Sequence, residues 1–341
     1  MSTQFSATST AEDVVKAFGA GVKGKVAIVT GSNTGIGFET VRALASVGVK
    51  VFAAARSQAN SEATVKKIKD LVPEGDVHPL ELELGQLASV RKAAETFLAL
   101  DLPLHILINN AGVMAPALTF SKDNIELQFG VNHIGHFLFT TLLFEKLKSS
   151  APARVVNVSS VGHFLFGQRG ILFDDLGLDG KVNHYNRWER YANSKLANIL
   201  FTKELQRRFD ETGAEVICTS LHPVRKEYLY TFIYLFFFSS YFFKGAIGGT
   251  DLSRHDGMYG WDFFQYFFRV VAAIFREPNF RNKTIPQGAA TSVFVAIAPN
   301  VVKGEYYSDV NIATVNRNPL INDVEMAKKL WAVSEETVAR K

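Results

Sequence analysis

The chain has 341 residues, 47% of them hydrophobic and 21% charged, with 37 basic against 33 acidic side chains. That balance leaves room for a large core and excludes collagen-like and low-complexity chains. A net charge of +4 with scattered Lys and Arg leaves no nucleic-acid footprint, and the single cysteine, Cys218, excludes a disulfide framework and a cysteine-based metal site.

Residues 1–20 are Ser/Thr-rich and lack the apolar stretch of a secretory signal, so a cytoplasmic protein is expected. The Asn-x-Ser/Thr matches at Asn157 and Asn282 then count as chance. From Lys25 onward, short apolar runs punctuated by Gly or Asn alternate with longer periodic stretches, the pattern of βα units. Strands are predicted over 26–30, 49–55, 77–84, 105–109, 154–159, 215–221 and near 305–308, and helices over 37–46, 63–71, 87–100, 126–148, 192–209 and 286–298. Most of the strand runs are almost continuously apolar, as strands covered on both faces must be. Right-handed crossovers then give an α/β fold: a Rossmann-type doubly wound parallel sheet of about seven strands with helices on both faces. One domain over 23–315 is expected, after an N-terminal extension (1–22) and before a C-terminal helical segment (316–341).

The first predicted strand runs straight into Gly31-Ser32-Asn33-Thr34-Gly35-Ile36-Gly37. Three glycines stand where a strand turns into a helix. Gly31 permits the tight turn, Gly35 clears a Cβ from the path of a pyrophosphate, and Gly37 lets helix and strand approach closely, while the helix N-terminus offers N–H groups to anionic oxygens. The second predicted strand ends Ala53-Ala54-Ala55-Arg56 without a carboxylate. An acid there accepts from a ribose hydroxyl and repels a 2′-phosphate; an arginine does the reverse, so NADP is favoured over NAD.

Tyr191 and Lys195 lie four residues apart at the opening of a helical run, on one face and able to reach a common site. A phenol titrates near 10, and a neighbouring ammonium favours phenolate, so Tyr191 can exchange a proton with a carbinol or carbonyl oxygen. Lys195 can also hold a nicotinamide ribose. The predicted strand 154–159 runs into Ser159-Ser160 at the sheet edge where open α/β folds place ligands, and Ser160 is preferred over Ser159 as donor to a substrate oxygen. Asn109-Asn110-Ala111-Gly112 ends another strand on the same edge, and Asn132 sits inside a helical stretch where an amide is unwelcome.

The segments TGSNTGIG, NNAG, VNHIGH, VVNVSS and YANSKLAN occur in this order, and together they resemble the short-chain dehydrogenase/reductase superfamily. Their flavour is similar to its retinol-dehydrogenase-like and fungal-type NADP-dependent reductases. The resemblance implies a tetrad of Ser160, Tyr191, Lys195 and Asn132 with Tyr191 as acid/base. It also implies cofactor contacts from Gly31, Ser32, Asn33, Gly35, Ile36, Gly37, Asn110, Ala111 and Gly112. At the end of the third strand, where the family usually shows Asp-Leu, this chain has Glu83-Leu84, which puts the adenine contact in doubt. Relatives often pair through the helices corresponding to 126–148 and 192–209, so a homodimer is an expectation by analogy.

The family pattern after the sixth strand is His-Pro-Gly, then a β-branched residue and Thr closing over the nicotinamide. Here Leu221-His222-Pro223 is followed by Val224 to Lys244, and only then by Gly245-Ala246-Ile247-Gly248-Gly249-Thr250. Deleting those 21 residues restores HPGAIGGTDL, with Ile247 and Thr250 in the family's cofactor-contacting places; ten of the 21 are Phe or Tyr, against 12% aromatic in the whole chain. The segment 224–244 has the marks of a translated intron, since Val224-Arg225 can be encoded by GTA-AGA and Lys244 by AAG. The competing reading is a membrane-dipping element, although its apolar part is shorter than the roughly 20 residues a spanning helix needs. A second aromatic stretch, 259–275, suggests an apolar pocket wall with possible peripheral membrane contact. The expected activity is interconversion of a carbonyl and an alcohol on a lipophilic small molecule with NADP (NADPH); the alternative is a catalytically impaired NADP-binding scaffold.

Overall fold

Runs of Val, Ile and Ala that cannot face water assemble as strands stacked side by side. The computed structural model describes residues 5–223, 283–314 and 317–341, so the segment 224–244, Ile247, Thr250 and the stretch 259–275 lie outside the described residues. The strands are β1 (Val26–Thr30), β2 (Lys50–Ala55), β3 (Val77–Glu81), β4 (Ile106–Asn109), β5 (Ala153–Val158), β6 (Val216–Leu221), β7 (Tyr306–Ser308) and β8 (Asn311–Ile312). They form one sheet in the order β3-β2-β1-β4-β5-β6-β7-β8, parallel except for the β7–β8 pair. The order reverses between β1 and β4, which makes the crevice beyond their carboxyl ends the place where such sheets bind ligands.

The helices are α1 (Ala11–Phe18), α2 (Gly35–Ala45), α3 (Gln58–Leu71), α4 (Leu87–Leu98), α5 (Leu127–Phe129), α6 (Gly135–Leu142), α7 (Phe144–Ser149), α8 (Gly162–Leu165), α9 (Arg187–Thr212), α10 (Ile285–Ile297) and α11 (Val324–Arg340). One face of the sheet is covered by α2, α3 and α10, with α1 packed on α2 and α10, and the other by α4, α6 and α9, with α11 packed on α9, each layer over its own hydrophobic cluster.

Four departures from the sequence expectation have local causes. The third strand ends at Glu81 rather than 84: after Leu82 N–H donates to Ala55 O, Ser89 Oγ takes the N–H of Glu83 and the Glu83 carboxylate takes that of Gly85, turning the chain off the sheet. The stretch 126–148 is not one helix. A π turn over Gly130–Ile134 separates α5 from α6, and Leu143 breaks α6 from α7 with φ −95° and ψ 3°. β8 follows a turn in which Asp309 and Val310 both have positive φ, at 52° and 65°; hairpin turns of that kind normally announce themselves with Asn-Gly. Finally, residues within 1–22 form α1, capped reciprocally by Thr10 and Asp13, with Phe18 clustered against Phe5 and Phe294.

At the other end of the chain, Trp331 of α11 packs against Phe137 and Phe201 while the Arg208 guanidinium lies 3.9 Å over its ring. α11 therefore covers part of the α6 and α9 surface. Among the described residues no helix is long and apolar enough to cross a membrane, and no cluster of His, Cys, Asp or Glu suits a metal ion.

Candidate active site

The cleft at the carboxyl ends of β1, β4 and β5 is lined by Ile36, Asn110, Gly112, Ser160, Tyr191 and Lys195, among others. On its phosphate-loop side, Gly31 and Gly35 take φ of +64° and +59°, the left-handed region that favours glycine. A Cβ on Gly37 would lie 2.4 Å from Gly31 O and 2.5 Å from Asn110 Nδ2, so helix and strand do meet there. A Cβ on Gly35 would meet nothing within 4 Å, which leaves open space above the α2 N-terminus.

Asn110 Nδ2 donates to Thr30 O at 2.8 Å, and the N–H groups of Asn110 and Ala111 both donate to Thr30 Oγ1 at 2.9 Å, tying the β4 end to the β1 end. Ser32 is fully buried and gives both its N–H and its hydroxyl to Ala54 O. That side chain braces the loop against β2; of the remaining loop side chains Asn33 and Ile36 are half-buried and Thr34 is exposed. Arg56 is exposed at the end of β2, just before Ser57 caps α3, and forms no ion pair among the described residues. Glu83 sits two residues past the end of β3, one carboxylate oxygen already accepting from Gly85 N–H.

On the catalytic side, the N-cap Asn186 starts α9 five residues before Tyr191, and the buried Arg190 pins the preceding loop through Asp175 and His184 O. Lys195 Nζ lies 5.8 Å from the centre of the Tyr191 ring, so the pair does share one site. The lysine is buried and donates to Val158 O at 3.0 Å, and desolvation lowers its pKa from 10.5 to about 8. Ser159 points away, its hydroxyl donating to Lys195 O at 2.7 Å. Ser160 Oγ instead accepts from Gly162 N at 3.1 Å, and Gly162 itself has no room for a Cβ beneath the Tyr191 ring, 3.0 Å off. Asn132 occupies the π turn, a distortion that recurs at functional sites. Its amide exchanges hydrogen bonds with the backbone of Val113 at 2.8 and 2.9 Å and donates to Ser194 Oγ at 2.9 Å, and a Cβ on Gly112 would lie 3.2 Å from both Asn132 Oδ1 and Lys195 Nζ. Ser160, Tyr191 and Lys195 thus line one cleft, and Asn132 lies buried behind its wall, bonded to the Val113 backbone.

Comparison with known proteins agrees with this geometry. Residues 25–170 match the family model for short chain dehydrogenases. A short-chain dehydrogenase of Brassica napus, TIC 32 B, chloroplastic, is 37% identical over 98% of this chain and 94% of that protein. The chain belongs to the short-chain dehydrogenase/reductase family. Within it the chain is retinol-dehydrogenase-like: human retinol dehydrogenase 12 is 38% identical over 92% of this chain and 86% of its own length, and mouse retinol dehydrogenase 11 is 39% identical over 91% and 85%. Among solved structures, an uncharacterized protein from Mycobacterium Paratuberculosis superposes with a TM-score of 0.65 at 28% identity, covering 94% of this chain and 97% of the other.

Family membership makes the chain an oxidoreductase acting on alcohols or carbonyls with a nicotinamide dinucleotide. Three features around the cleft of this short-chain dehydrogenase were not singled out from its sequence: the Thr30 side chain, the buried Gln128, and the buried His136 and His163. Gln128 takes Ala115 N at 2.8 Å and gives to Arg187 O at 3.0 Å, joining the loop after β4 to the start of α9; Ala115 has φ 49°, strain held beside the cleft. An amide two residues after a capping Glu126 carried no signal of that bridge.

Proposed function

We propose that the chain is an NADP-dependent oxidoreductase that interconverts a carbonyl and an alcohol on a lipophilic small molecule, with Tyr191 as acid/base. The observation that carries it is the placement of Lys195 Nζ 5.8 Å from the Tyr191 ring centre, in the cleft that Ser160 also lines and with Asn132 buried behind Val113 and Gly112 of its wall. The residues suit a dinucleotide: the open space over Gly35 and the α2 N-terminus would accept a pyrophosphate, and Asn110 to Gly112 would hold the nicotinamide half. Exposed Arg56 beside the α3 N-terminus suits a 2′-phosphate. When bound, the dinucleotide supplies the hydride acceptor or donor.

The chain's own residues handle the proton and the substrate oxygen. With its Oγ already accepting from Gly162, Ser160 has its O–H to give to that oxygen. Tyr191 delivers a proton there in the reducing direction and removes it in the other, and the Lys195 charge favours the phenolate it becomes. A hydrophobic substrate is supported by the aromatic stretch 259–275 and by relatives named for retinol, a lipophilic alcohol. We place the protein in the cytoplasm with peripheral membrane contact. Homodimerisation would have to leave α11 seated on α6 and α9.

NADPH oxidation with a panel of hydrophobic ketones and aldehydes tests the reading on the whole chain, on a version lacking 224–244 and on Tyr191→Phe. Turnover that the phenylalanine lowers about 10²- to 10⁴-fold is expected. Dinucleotide binding without turnover in both of the first two proteins selects the scaffold instead. Arg56→Asp should move cofactor preference from NADPH towards NADH.

A further inference from the structure

Two buried histidines that neither touch substrate nor line the cleft each face the backbone of a tetrad residue. His136, on α6, has Nδ1 3.1 Å from Asn132 O; His163, on α8, has Nδ1 2.5 Å from Ser160 O. A carbonyl oxygen can only accept, so in both rings Nδ1 carries the proton. The opposite nitrogens complete the account. Asn318 N–H donates to His163 Nε2 at 3.4 Å, which requires a bare Nε2. Thr30 Oγ1 already accepts from Asn110 N and Ala111 N, so its own proton goes to His136 Nε2, 2.8 Å away.

We propose that His136 and His163 are positioning residues for the tetrad, each donating Nδ1–H to the backbone carbonyl of Asn132 or Ser160 and anchored at Nε2 to a separate element. This rests on the proposed dehydrogenase activity and adds to it. The π turn explains the need for the first. Five-residue spacing leaves a helix wide, and Asn132 must present its amide to Val113 and Ser194 from within it. His136 ties that turn, through Thr30, to the ends of β1 and β4, so the dinucleotide half and the proton-transfer half share one chain of hydrogen bonds. Ser160 follows the last residues of β5, where nothing in the strand ladder holds it; the His163 ring and main-chain N–H both grip its carbonyl. Asn318 closes the clamp by donating from its side chain to His163 O and Gly167 O at 3.0 and 2.8 Å. Burial keeps both rings neutral, with pKa values lowered to about 4 for His136 and about 3 for His163.

The test uses the full chain with ¹⁵N-labelled histidine. Ring-nitrogen spectra at neutral pH should show both rings as neutral Nδ1–H tautomers, and an Nε2–H tautomer or a charged ring at either position overturns the assignment. Kinetics of folded variants provide the second arm. His163→Phe should lower kcat about tenfold with the KM for NADPH unchanged, and His163→Asn, whose amide reaches the Nδ1 position, should restore it. His136→Phe should lower kcat by a similar factor and also raise the KM for NADPH; His136→Asn should recover kcat but not KM, because Thr30 stays without its acceptor. Equal loss in the Phe and Asn variants, or no loss in either, overturns the proposal. A parent chain that reduces no carbonyl overturns the functional reading and leaves the ring spectra to decide this one.

Discussion

The two faces of the sheet use the same strands for opposite purposes. At the carboxyl ends of β1, β4, β5 and β6, the residues Val29, Ile108, Val158 and Leu221 face α2 and α10 and are wholly apolar, while their neighbours Thr30, Asn109, Asn157, Ser159 and Ser220 face α6 and α9. Its two asparagines are wired together: Asn109 Nδ2 donates to Asn157 Oδ1 at 2.8 Å and Thr140 Oγ1 at 2.9 Å, and Asn157 Nδ2 donates to Thr202 Oγ1 at 2.9 Å. Alternation of side chains along a strand separates a dry face that holds the domain together from a polar face that holds the chemistry. The cost of chemistry, in buried polar groups, falls on one side.

Acid should break the polar face first. His133, His136, His163 and His222 are buried there with pKa values lowered from 6.5 to about 3, 4, 3 and 3, all chiefly by desolvation. Between pH 6.5 and about 4 the unfolded chain binds protons that the folded chain refuses, so stability present above 6.5 is lost as pH falls. With four such groups the slope approaches about 5 kcal/mol per pH unit. Urea midpoints measured from pH 7 to 4.5 check it; a slope set by one proton or none would show that these rings are not buried neutral.

Lys195 offers a sharper contrast, because it links stability and activity with opposite signs. Its folded pKa of about 8 lies below the unfolded 10.5, so the unfolded state holds more protons between those values and stability rises with pH across that window. At neutral pH the buried charge costs on the order of 3 kcal/mol. Lys195→Met should therefore raise the unfolding free energy by up to about that amount while lowering turnover at least about 10²-fold. In the parent protein, carbonyl reduction should decline as pH rises through about 8. A methionine variant that is both less stable and active would break the comparison.

Paired substitutions on adjacent β4 residues measure the two faces directly. Asn109→Leu strands the buried acceptors Asn157 Oδ1 and Thr140 Oγ1 and should cost about 2–3 kcal/mol, whereas Ile108→Val on the dry face should cost about 1 kcal/mol. Chemical denaturation of both variants reads the difference, and equal costs would mean that the polar wire contributes no more than packing.

Much of this was legible in the sequence, for reasons that also mark the boundary. The parallel strands declared themselves because burial on both faces leaves nearly unbroken apolar runs, and Gly31, Gly35 and Gly37 because their backbone demands no other residue. Tyr191 and Lys195 could be paired by helical spacing. By contrast, the π turn at Gly130–Ile134 looks like ordinary helix in any periodicity, since residues 128–140 are buried on every side and leave no amphipathic stripe for the extra residue to shift. The bond from Ser32 to Ala54 O was not legible, because it depends on β2, which no local pattern contains. The clamps from His136 and His163 join residues whose partners, Thr30 and Asn318, lie 106 and 155 positions away.

The N-terminal helix sharpens the account of the dry face with the smallest effect. Thr10 Oγ1 accepts from Asp13 N at 3.2 Å and Asp13 returns the bond to Thr10 N at 2.8 Å, a reciprocal cap worth about 1 kcal/mol. Were α1 an appendage, Thr10→Ala would fray its amides in hydrogen exchange and leave the global transition alone. Its contacts argue otherwise: Ala11, Val14 and Val15 are buried in the same cluster as Val29 and Ile108, Arg42 of α2 reaches Glu12 at 3.4 Å, and Gln287 of α10 donates to Thr8 O at 3.1 Å. The substitution should therefore lower the unfolding free energy of the whole domain by about 1 kcal/mol, with the α1 amides exchanging no earlier than those of α10.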